Sequence, residues 1–348
     1  MAEKEFVWLQ DPGTIPWIVQ QRKPPITGRP ISVRDNYIRC ATGEKPVWMP
    51  LYGYECNICW PDVIRECPVP ERDGKDWWGT EWVNTEFTGG MMVKPNTRTI
   101  SAFENWKEEL KFPDLDSVDW AADAEKITSR FDPDRVHIYQ CVKGMFERLN
   151  VIIPFEEALI GCMDEPELAQ EFFQRMADYK IDICNKVIDN YGRIDGIVFH
   201  DDWGHQNGTF FSPDMFRELI FPATKRFIDT VKPRLKFVEL HSCGKNVTYV
   251  PMMLEMGIDM WCPQVGINDP VELKEKYGDK MTFVFGIPGV DSKGATESDI
   301  RRYVDEFVKF FGKGGRCMPI VRLPKEMADR QEIIRDELYN FSLEFYKD

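Results

Sequence analysis

Residues 196–241 decide the fold of this chain; they read GIVFHDDWGHQNGTFFSPDMFRELIFPATKRFIDTVKPRLKFVELH. An apolar run at 196–200 is followed by Ser212-Pro213 and by a second apolar run at 235–241. Serine accepts a hydrogen bond from the first free amides of a helix, and proline is tolerated at its first position. The stretch therefore predicts strand, helix and strand, the unit from which parallel sheets are built.

The same alternation continues on both sides of this unit. Further strands are predicted at 47–52, 135–142, 258–262, 281–285 and 316–320. Helices are predicted at 32–42, 155–160, 165–191, 271–277, 296–311 and 326–346. About eight short strands in one undivided chain favour a (β/α)8 TIM barrel as a single domain, 1–348. An open doubly wound sheet is the alternative, but no GxGxxG follows a first strand to support a dinucleotide site.

Two regions depart from this pattern. The Pro-rich residues 1–30 predict an N-terminal surface extension, and residues 54–130 predict an irregular, aromatic-rich insertion. Aromatic residues in or near the insertion are Trp60, Trp77, Trp78, Trp82, Phe87, Phe103, Phe146 and Trp203. They suit either a mouth that binds an aromatic ligand or corrin ring, or a lid that packs on the barrel, with equal weight.

Charge and composition narrow the functional class. The chain has 58 acidic and 44 basic residues, a net charge of -14, which argues against a nucleic-acid partner. No apolar run reaches the roughly 18 residues of a membrane span. The start MAEKEFVWLQ lacks a signal-peptide pattern, so we expect a cytoplasmic protein. In that compartment the ten cysteines are thiols or metal ligands.

The strongest chemical signal is the segment 238–244, VELHSCG. Alternation along a strand puts Glu239, His241 and Cys243 on one face, at the end where barrels build active sites. Imidazole and thiolate are good zinc ligands, and three protein ligands leave a position open for substrate. The third ligand is predicted to be Cys317, with Cys262 as its competitor. Packing of a core histidine and cysteines is the alternative.

Two further motifs carry polar groups. The segment FHDDWGH ends the strand at 196–200, and its two carboxylates and two histidines, His200 with Asp201, Asp202 and His205, are candidates for protonating or positioning a substrate. The alternative is a capping and turn cluster for the next helix. The pair Cys56 and Cys59 forms CNIC without a second half-site, so we interpret both as packing or substrate-loop thiols.

Several segments together resemble a known family. HSCG followed by GIDMWCPQ, FHDDWGHQNGTFFSPDMFRELIFP, and VRDNYIRCATGEKPVWMPL resemble the corrinoid methyltransferase branch of the uroporphyrinogen decarboxylase superfamily. KGMFERLNVIIPFEEALIGCMDEPEL is similar to its methyl-ether demethylase members. The likeness spans roughly 30–320. The N-terminal QQRKPPITGRP lacks the RQAGR of true decarboxylases, so decarboxylation of uroporphyrinogen is not expected.

The resemblance implies a barrel with zinc held by a His, a Cys two residues later and a late Cys, here His241, Cys243 and Cys317. Glu239 would be a fourth, displaceable ligand. It implies methyl transfer from a methoxylated aromatic compound to the Co(I) corrinoid of a separate small corrinoid protein, an O-demethylation. The predicted substrate-binding residues are Trp78, Phe146, Arg148 and Trp203.

Three alternatives stay open. One is the reverse direction, in which methylcorrinoid gives its methyl group to a thiol such as coenzyme M. A second is a non-catalytic protein that binds a tetrapyrrole or corrinoid beside a structural zinc, and a third is a decarboxylase. The oligomeric state is also open, a homodimer included.

Overall fold

The computed structural model describes residues 26–66, 74–85, 90–264, 266–321 and 323–347. Most of the predicted N-terminal extension, 1–30, lies outside these residues, as does Phe87.

A curled parallel sheet forms the centre of the molecule. The strands are β1 Cys56–Cys59, β2 Trp82–Thr85, β3 Gly90–Val93, β4 Val136–Cys141, β5 Gly196–His200, β6 Gly204–His205, β7 Gly208–Thr209, β8 Phe237–Ser242, β9 Met260–Pro263, β10 Thr282–Gly286 and β11 Cys317–Ile320. Seven of them form one sheet in the order β1-β4-β5-β8-β9-β10-β11, and the others pair as the hairpins β2–β3 and β6–β7. Every pair in the large sheet is parallel. The fold is the predicted α/β, TIM-barrel-like one.

Helices follow the strands and cover the sheet. They are α1 Val33–Thr42, α2 Trp106–Glu109, α3 Trp120–Thr128, α4 Met145–Ile152, α5 Phe155–Asp164, α6 Pro166–Asn190, α7 Pro213–Leu219, α8 Phe221–Val231, α9 Val250–Met256, α10 Pro270–Tyr277, α11 Glu297–Phe311 and α12 Arg330–Phe345. The expected start signal holds at α7, where the Ser212 side chain accepts from the Met215 amide. Thr296 and Asp299 form a reciprocal capping box at α11.

The strand predicted at 47–52 is wrong. Its amides bind side chains instead of a neighbouring strand: Val47 N donates to Asn36 Oδ1 and Met49 N to Ser342 Oγ. Pro50 has no backbone N–H to donate to a neighbouring strand. The segment nevertheless links the two edges of the sheet, because Tyr52 N donates to the carbonyl of Pro319 on β11 at 2.9 Å. The first strand is β1, and its Cys56 and Cys59 are buried.

Alternate residues of each strand face opposite sides of the sheet. The residues that pack inside the barrel include Cys56, Val136, Ile138, Val198, Phe237, Met260, Cys262, Val284 and Met318. Their neighbours in the chain pack outward against the helices, among them Phe199, Leu240, Trp261, Phe283 and Cys317. Helix α1 lies across the amino ends of the strands, where Thr282 Oγ1 donates to the Cys40 carbonyl at 2.8 Å. Helix α1 therefore covers that end of the barrel.

Among the described residues, none of the helices has the length and apolar character needed to cross a membrane.

Candidate functional site

A cluster of metal-binding residue types lies where β5 and β8 end. His200 and His241 are direct neighbours in the register of these strands. Their rings stack with centroids 4.4 Å apart and an angle of 26°. Possible ligand atoms of His200, Asp202 and His241 all lie within 4.8 Å of one another. The carboxyl end of the barrel thus gathers two imidazoles and a carboxylate, a set that suits a transition metal.

Cys243 joins this cluster from the turn after β8. Its Sγ lies 3.5 Å from His241 Nε2. Its amide donates to Asp202 Oδ1 at 2.7 Å, which ties the two loops together. The structure therefore brings together three of the predicted site residues, His241, Cys243 and Asp202.

Cys317 does not reach the cluster, contrary to the prediction. It is the first residue of β11, at the amino end of the strand, and pairs with Phe283. Met318 faces the barrel interior, so the Cys317 side chain lies on the outer side with the helix-packing residues. Burial raises the pKa of its thiol, and the neighbouring Lys274 opposes that rise. Cys317 thus lies at the amino end of its strand and on the outer face of the sheet. Both positions exclude it from the metal-type cluster, by which we mean His200, Asp202, His241 and Cys243.

Cys262 lies on the interior face of the sheet, whereas Cys317 lies on the outer face. It pairs directly with His241 across β8 and β9, and it packs inside the barrel with Val284 and Met318. Of the two cysteines considered as third ligand, Cys262 is the one on the same side of the sheet as His241.

His200 lies in the motif FHDDWGH that the sequence marks as a candidate site, but the sequence does not predict it as a metal ligand. It ends a strand two positions before Asp202. Its Nδ1 lies 2.8 Å from Glu147 Oε2, and Lys143 Nζ donates to Glu147 Oε1 at 2.6 Å. Burial opposes the imidazolium, but the Glu147 and Asp202 carboxylates outweigh it and raise the pKa of His200 to about 9. Burial also opposes the charge on Glu147, yet His200 and Lys143 hold the pKa of that carboxyl well below its usual range.

Asp201, predicted to be catalytic, is a helix cap. Its side chain is fully buried and accepts from the Glu147 amide at 2.7 Å and from Trp203 Nε1 at 2.8 Å. Burial raises the pKa of this carboxyl to about 7. Both oxygens serve the first turn of α4 and the Trp203 ring, so Asp201 points away from the cluster.

The predicted substrate-binding residues are also structural. Trp203 is fully buried against Phe216, and Phe146 is fully buried against Phe211. Neither ring presents a surface to a ligand.

Arg148 and Trp78 belong to the packing of the aromatic insertion. The Arg148 guanidinium is fully buried and pairs with Glu66 and, at 3.0 Å, with Asp76. It lies 4.9 Å from the centre of the Trp78 ring. Lys180 also binds Glu66, at 2.8 Å. Because the guanidinium of Arg148 already forms ion pairs with Glu66 and Asp76, it is not placed to bind a substrate carboxylate.

Two further predicted residues lie outside the cluster: His205 towards the solvent and Glu239 deeper in the barrel. His205 is exposed on β6, and its ring stacks on Phe210 at 5.9 Å. Glu239 lies two residues deeper than His241 on the interior face of β8 and is fully buried. Tyr52 Oη donates to its Oε1 at 2.8 Å, and its Oε2 has no hydrogen-bond partner. Burial raises the pKa of Glu239 to about 8, so it is largely a neutral acid at pH 7.

Backbone contacts hold the turn after β8. The side-chain amide of Asn246 donates to the Cys243 carbonyl at 2.6 Å, and Asn268 donates to the Gly244 carbonyl at 2.9 Å. Gly244 has φ 97, a conformation that favours glycine, and a Cβ there would collide with the backbone of Gly204. The turn that carries Cys243 is therefore fixed against the loop that carries Asp202.

The fold and the cluster together define a class: a parallel α/β barrel with a candidate metal centre at the carboxyl ends of its strands. Residues 83–309 match the family model "Uroporphyrinogen decarboxylase (URO-D)". This match spans more than half of the chain, and the chain belongs to that family.

Solved structures support the fold. A "methyltransferase from Methanosarcina mazei" is 14% identical, with a TM-score of 0.64, over 91% of this chain and 99% of that one. Xylanase B from Clostridium stercorarium F9 is 14% identical, with a TM-score of 0.37, over 59% and 72%, a likeness too weak to carry an argument. No curated protein sequence matches the chain.

Proposed function

We propose that the chain is a zinc-dependent methyltransferase that moves a methyl group from a methoxylated aromatic compound to the Co(I) corrinoid of a separate small corrinoid protein. The observation that carries the proposal is the approach of Cys243 Sγ to within 3.5 Å of His241 Nε2, beside His200 and Asp202. Membership of the URO-D family and the fold shared with a methyltransferase support it.

The ligand set proposed here differs from the one that the sequence predicts. His241 and Cys243 remain, His200 takes the place of Cys317, and Asp202 is a fourth ligand that the substrate oxygen displaces, so that one position opens for the substrate. The donor chemistry fits zinc, which binds imidazole, thiolate and carboxylate. The contact between Glu147 and His200 Nδ1 fits too, because a metal-binding histidine commonly gives its second ring nitrogen to a carboxylate.

Zinc bound there would supply Lewis-acid polarisation of the ether oxygen. The protein's own groups prepare the site. Glu147 fixes the His200 ring, and Lys143 balances the charge of Glu147. Asp202 uses one oxygen to hold the Cys243 amide and keeps the other for the centre.

The ligand set is tested by metal content. Purified wild type, His241→Ala, Asp202→Ala and Cys317→Ala are dialysed against a zinc buffer, and bound zinc is measured by mass spectrometry. We expect stoichiometric zinc in the wild type and in Cys317→Ala, loss of zinc in His241→Ala, and weakened zinc binding in Asp202→Ala. Loss of zinc in Cys317→Ala with wild-type folding would contradict the proposed set.

The reaction is tested with free cob(I)alamin, corrinoid proteins in the Co(I) state and a panel of methoxybenzenes and methoxybenzoates. We expect a phenol to be released as the cobalt is methylated, both lost in His241→Ala. Demethylation of methylcobalamin that needs an added thiol would support the reverse direction instead. Absence of both reactions from the zinc-loaded protein would overturn the proposal.

A further inference from the structure

Helix α5 exposes an unusual apolar face. Three of the four exposed large apolar side chains among the described residues belong to it: Phe155 at 42%, Ile160 at 52% and Met163 at 61%. Together with the half-buried Leu159 they occupy positions i, i+4, i+5 and i+8, so they form one stripe along the helix. We call this stripe the α5 patch. The other exposed residue, Met92, lies on the β2–β3 hairpin.

The opposite side of α5 explains why the patch faces outward. Ala158, Gly161 and Cys162 are buried, and a Cβ at Gly161 would collide with the Phe103 ring. The helix thus lies tightly on the insertion through its small residues. Of its large apolar residues, Leu159 packs partly against the core and Phe155 contacts the Phe146 ring, whereas Ile160 and Met163 project away from this packing into solvent.

The α5 patch is continuous with the mouth of the barrel, the end at which the carboxyl ends of the strands lie. The Phe155 ring lies 4.9 Å from Phe210, and Phe210 stacks on His205. His205 belongs to the β6–β7 hairpin, which begins two residues after Asp202. A protein seated on the patch would therefore also lie over the loops that carry the metal-type cluster.

The charge around the patch indicates what kind of surface it binds. The segment 154–168, PFEEALIGCMDEPEL, has five carboxylates and no lysine or arginine. Of these, Glu157 is paired with Arg98, while Glu156, Asp164, Glu165 and Glu167 are exposed. An apolar centre with an acidic rim is complementary to an apolar surface with a basic rim.

We propose that the α5 patch is the docking surface for the partner that carries the methyl-accepting corrinoid, a small protein with an apolar contact surface bordered by lysine and arginine. This inference rests on the proposed function, because the partner must bring its cofactor to the mouth of the barrel. It adds the place of docking and the chemistry of the partner's surface.

The test compares two acceptors of the methyl group. The double variant Ile160→Glu/Met163→Glu places two charges in the patch, and Met92→Glu is the matched control at an exposed apolar position elsewhere. With Co(I) corrinoid proteins as acceptor, we expect the double variant to lower kcat/KM by about tenfold or more, and Met92→Glu to leave it unchanged. With free cob(I)alamin, which needs no docking, all three proteins should react at the same rate. Added NaCl should weaken only the protein-to-protein reaction.

The results separate the inference from the proposed function. Equal rates for wild type and the double variant with the corrinoid proteins would overturn the docking surface. So would a wild-type dimer that the double variant converts to monomer, since the occupant would then be a second copy of the chain. If wild type methylates neither acceptor, the proposed function fails; binding of the corrinoid proteins to wild type and to the double variant, measured by interferometry, then decides the surface, and equal binding or none overturns it.

Discussion

The two ends of the barrel carry similar residue types in different surroundings. At the carboxyl end, which we call the mouth, His200, His241 and Cys243 are half-buried and face one another from neighbouring strands. At the amino end, which we call the floor, Cys317 is fully buried beside Lys274, and α1 covers the strands. A cysteine can therefore act as a ligand here only if it lies at the carboxyl end of a strand and on the interior face of the sheet. A position on a strand is not sufficient by itself.

The sharpest challenge to this comparison exchanges one cysteine at each end. Cys243→Ala should lower methyl transfer by about a thousandfold, because it removes a ligand of the proposed zinc centre, whose Lewis acidity would contribute several kcal/mol to catalysis. Cys317→Ala should change the rate by less than about threefold, the scale of a packing change remote from the site. Steady-state kinetics of both variants after zinc loading measures this, and equal losses would remove the distinction between mouth and floor.

A second test concerns Arg148, the buried cation that pairs with Glu66 and Asp76. Arg148→Met leaves Asp76 buried without its guanidinium partner and should lower the free energy of unfolding by about 3 kcal/mol. Arg98→Met, which removes only the exposed pair with Glu157, should cost less than about 1 kcal/mol. Urea unfolding gives both values. Unchanged stability in Arg148→Met, with an altered KM for methoxybenzoates, would return Arg148 to the substrate site.

A third test addresses a carboxyl group at the floor. Burial raises the pKa of Glu55 to about 7, against the opposing hydrogen bonds from the Leu51 amide and the Trp48 ring. The folded protein holds this proton more tightly than the unfolded chain does. Stability from Glu55 is therefore present below about pH 4.5 and falls as the pH rises to about 7, by about 3 kcal/mol.

Glu55→Gln should flatten the fall in the free energy of unfolding between these pH values, measured by urea titrations across the range. Glu44→Gln, at an exposed glutamate that follows α1, serves as the control and should leave the fall as it is in wild type. A wild-type slope retained in Glu55→Gln would show that another group sets the pH dependence.

The smallest expected effect separates two adjacent aspartates at the mouth. Asp201→Asn keeps one acceptor for the first turn of α4 and should cost about 1 kcal/mol of stability without loss of zinc. Asp202→Asn should leave stability nearly unchanged and weaken zinc binding. Thermal unfolding and zinc content of the two variants test the assignment of Asp201 as a helix cap and Asp202 as a ligand. Loss of zinc from Asp201→Asn alone would reverse these two roles.

The sequence predicted the elements that depend on local pattern. The alternation through 238–244 correctly places His241 and Glu239 on one face, because β8 is continuous over Phe237–Ser242. The Ser212-Pro213 start of α7 also depends on neighbours in the chain alone. Both the barrel class and half of the cluster follow from such signals.

Non-local contacts account for most of the failures. The face of Cys317 depends on the register of β11 against β10, which a strand of only four residues does not reveal from its sequence. Arg148 finds its partners 72 and 82 positions away, in an insertion without periodicity. Asp201 caps a helix that starts more than fifty residues before it. Distances of this kind are set by tertiary packing and leave no trace in the neighbouring sequence.

The close approach of Gly244 to Gly204 has a consequence for how this barrel can diversify. Two peptide backbones in direct contact leave no room for a side chain, so the loops after β5 and β8 can only shift as one piece. New substrates must then be accommodated by the remaining rim of the barrel, above all by the segments after β9 and β11. Sequence change that alters substrate choice should accumulate there, while the pair of loops around the cluster stays constant in length.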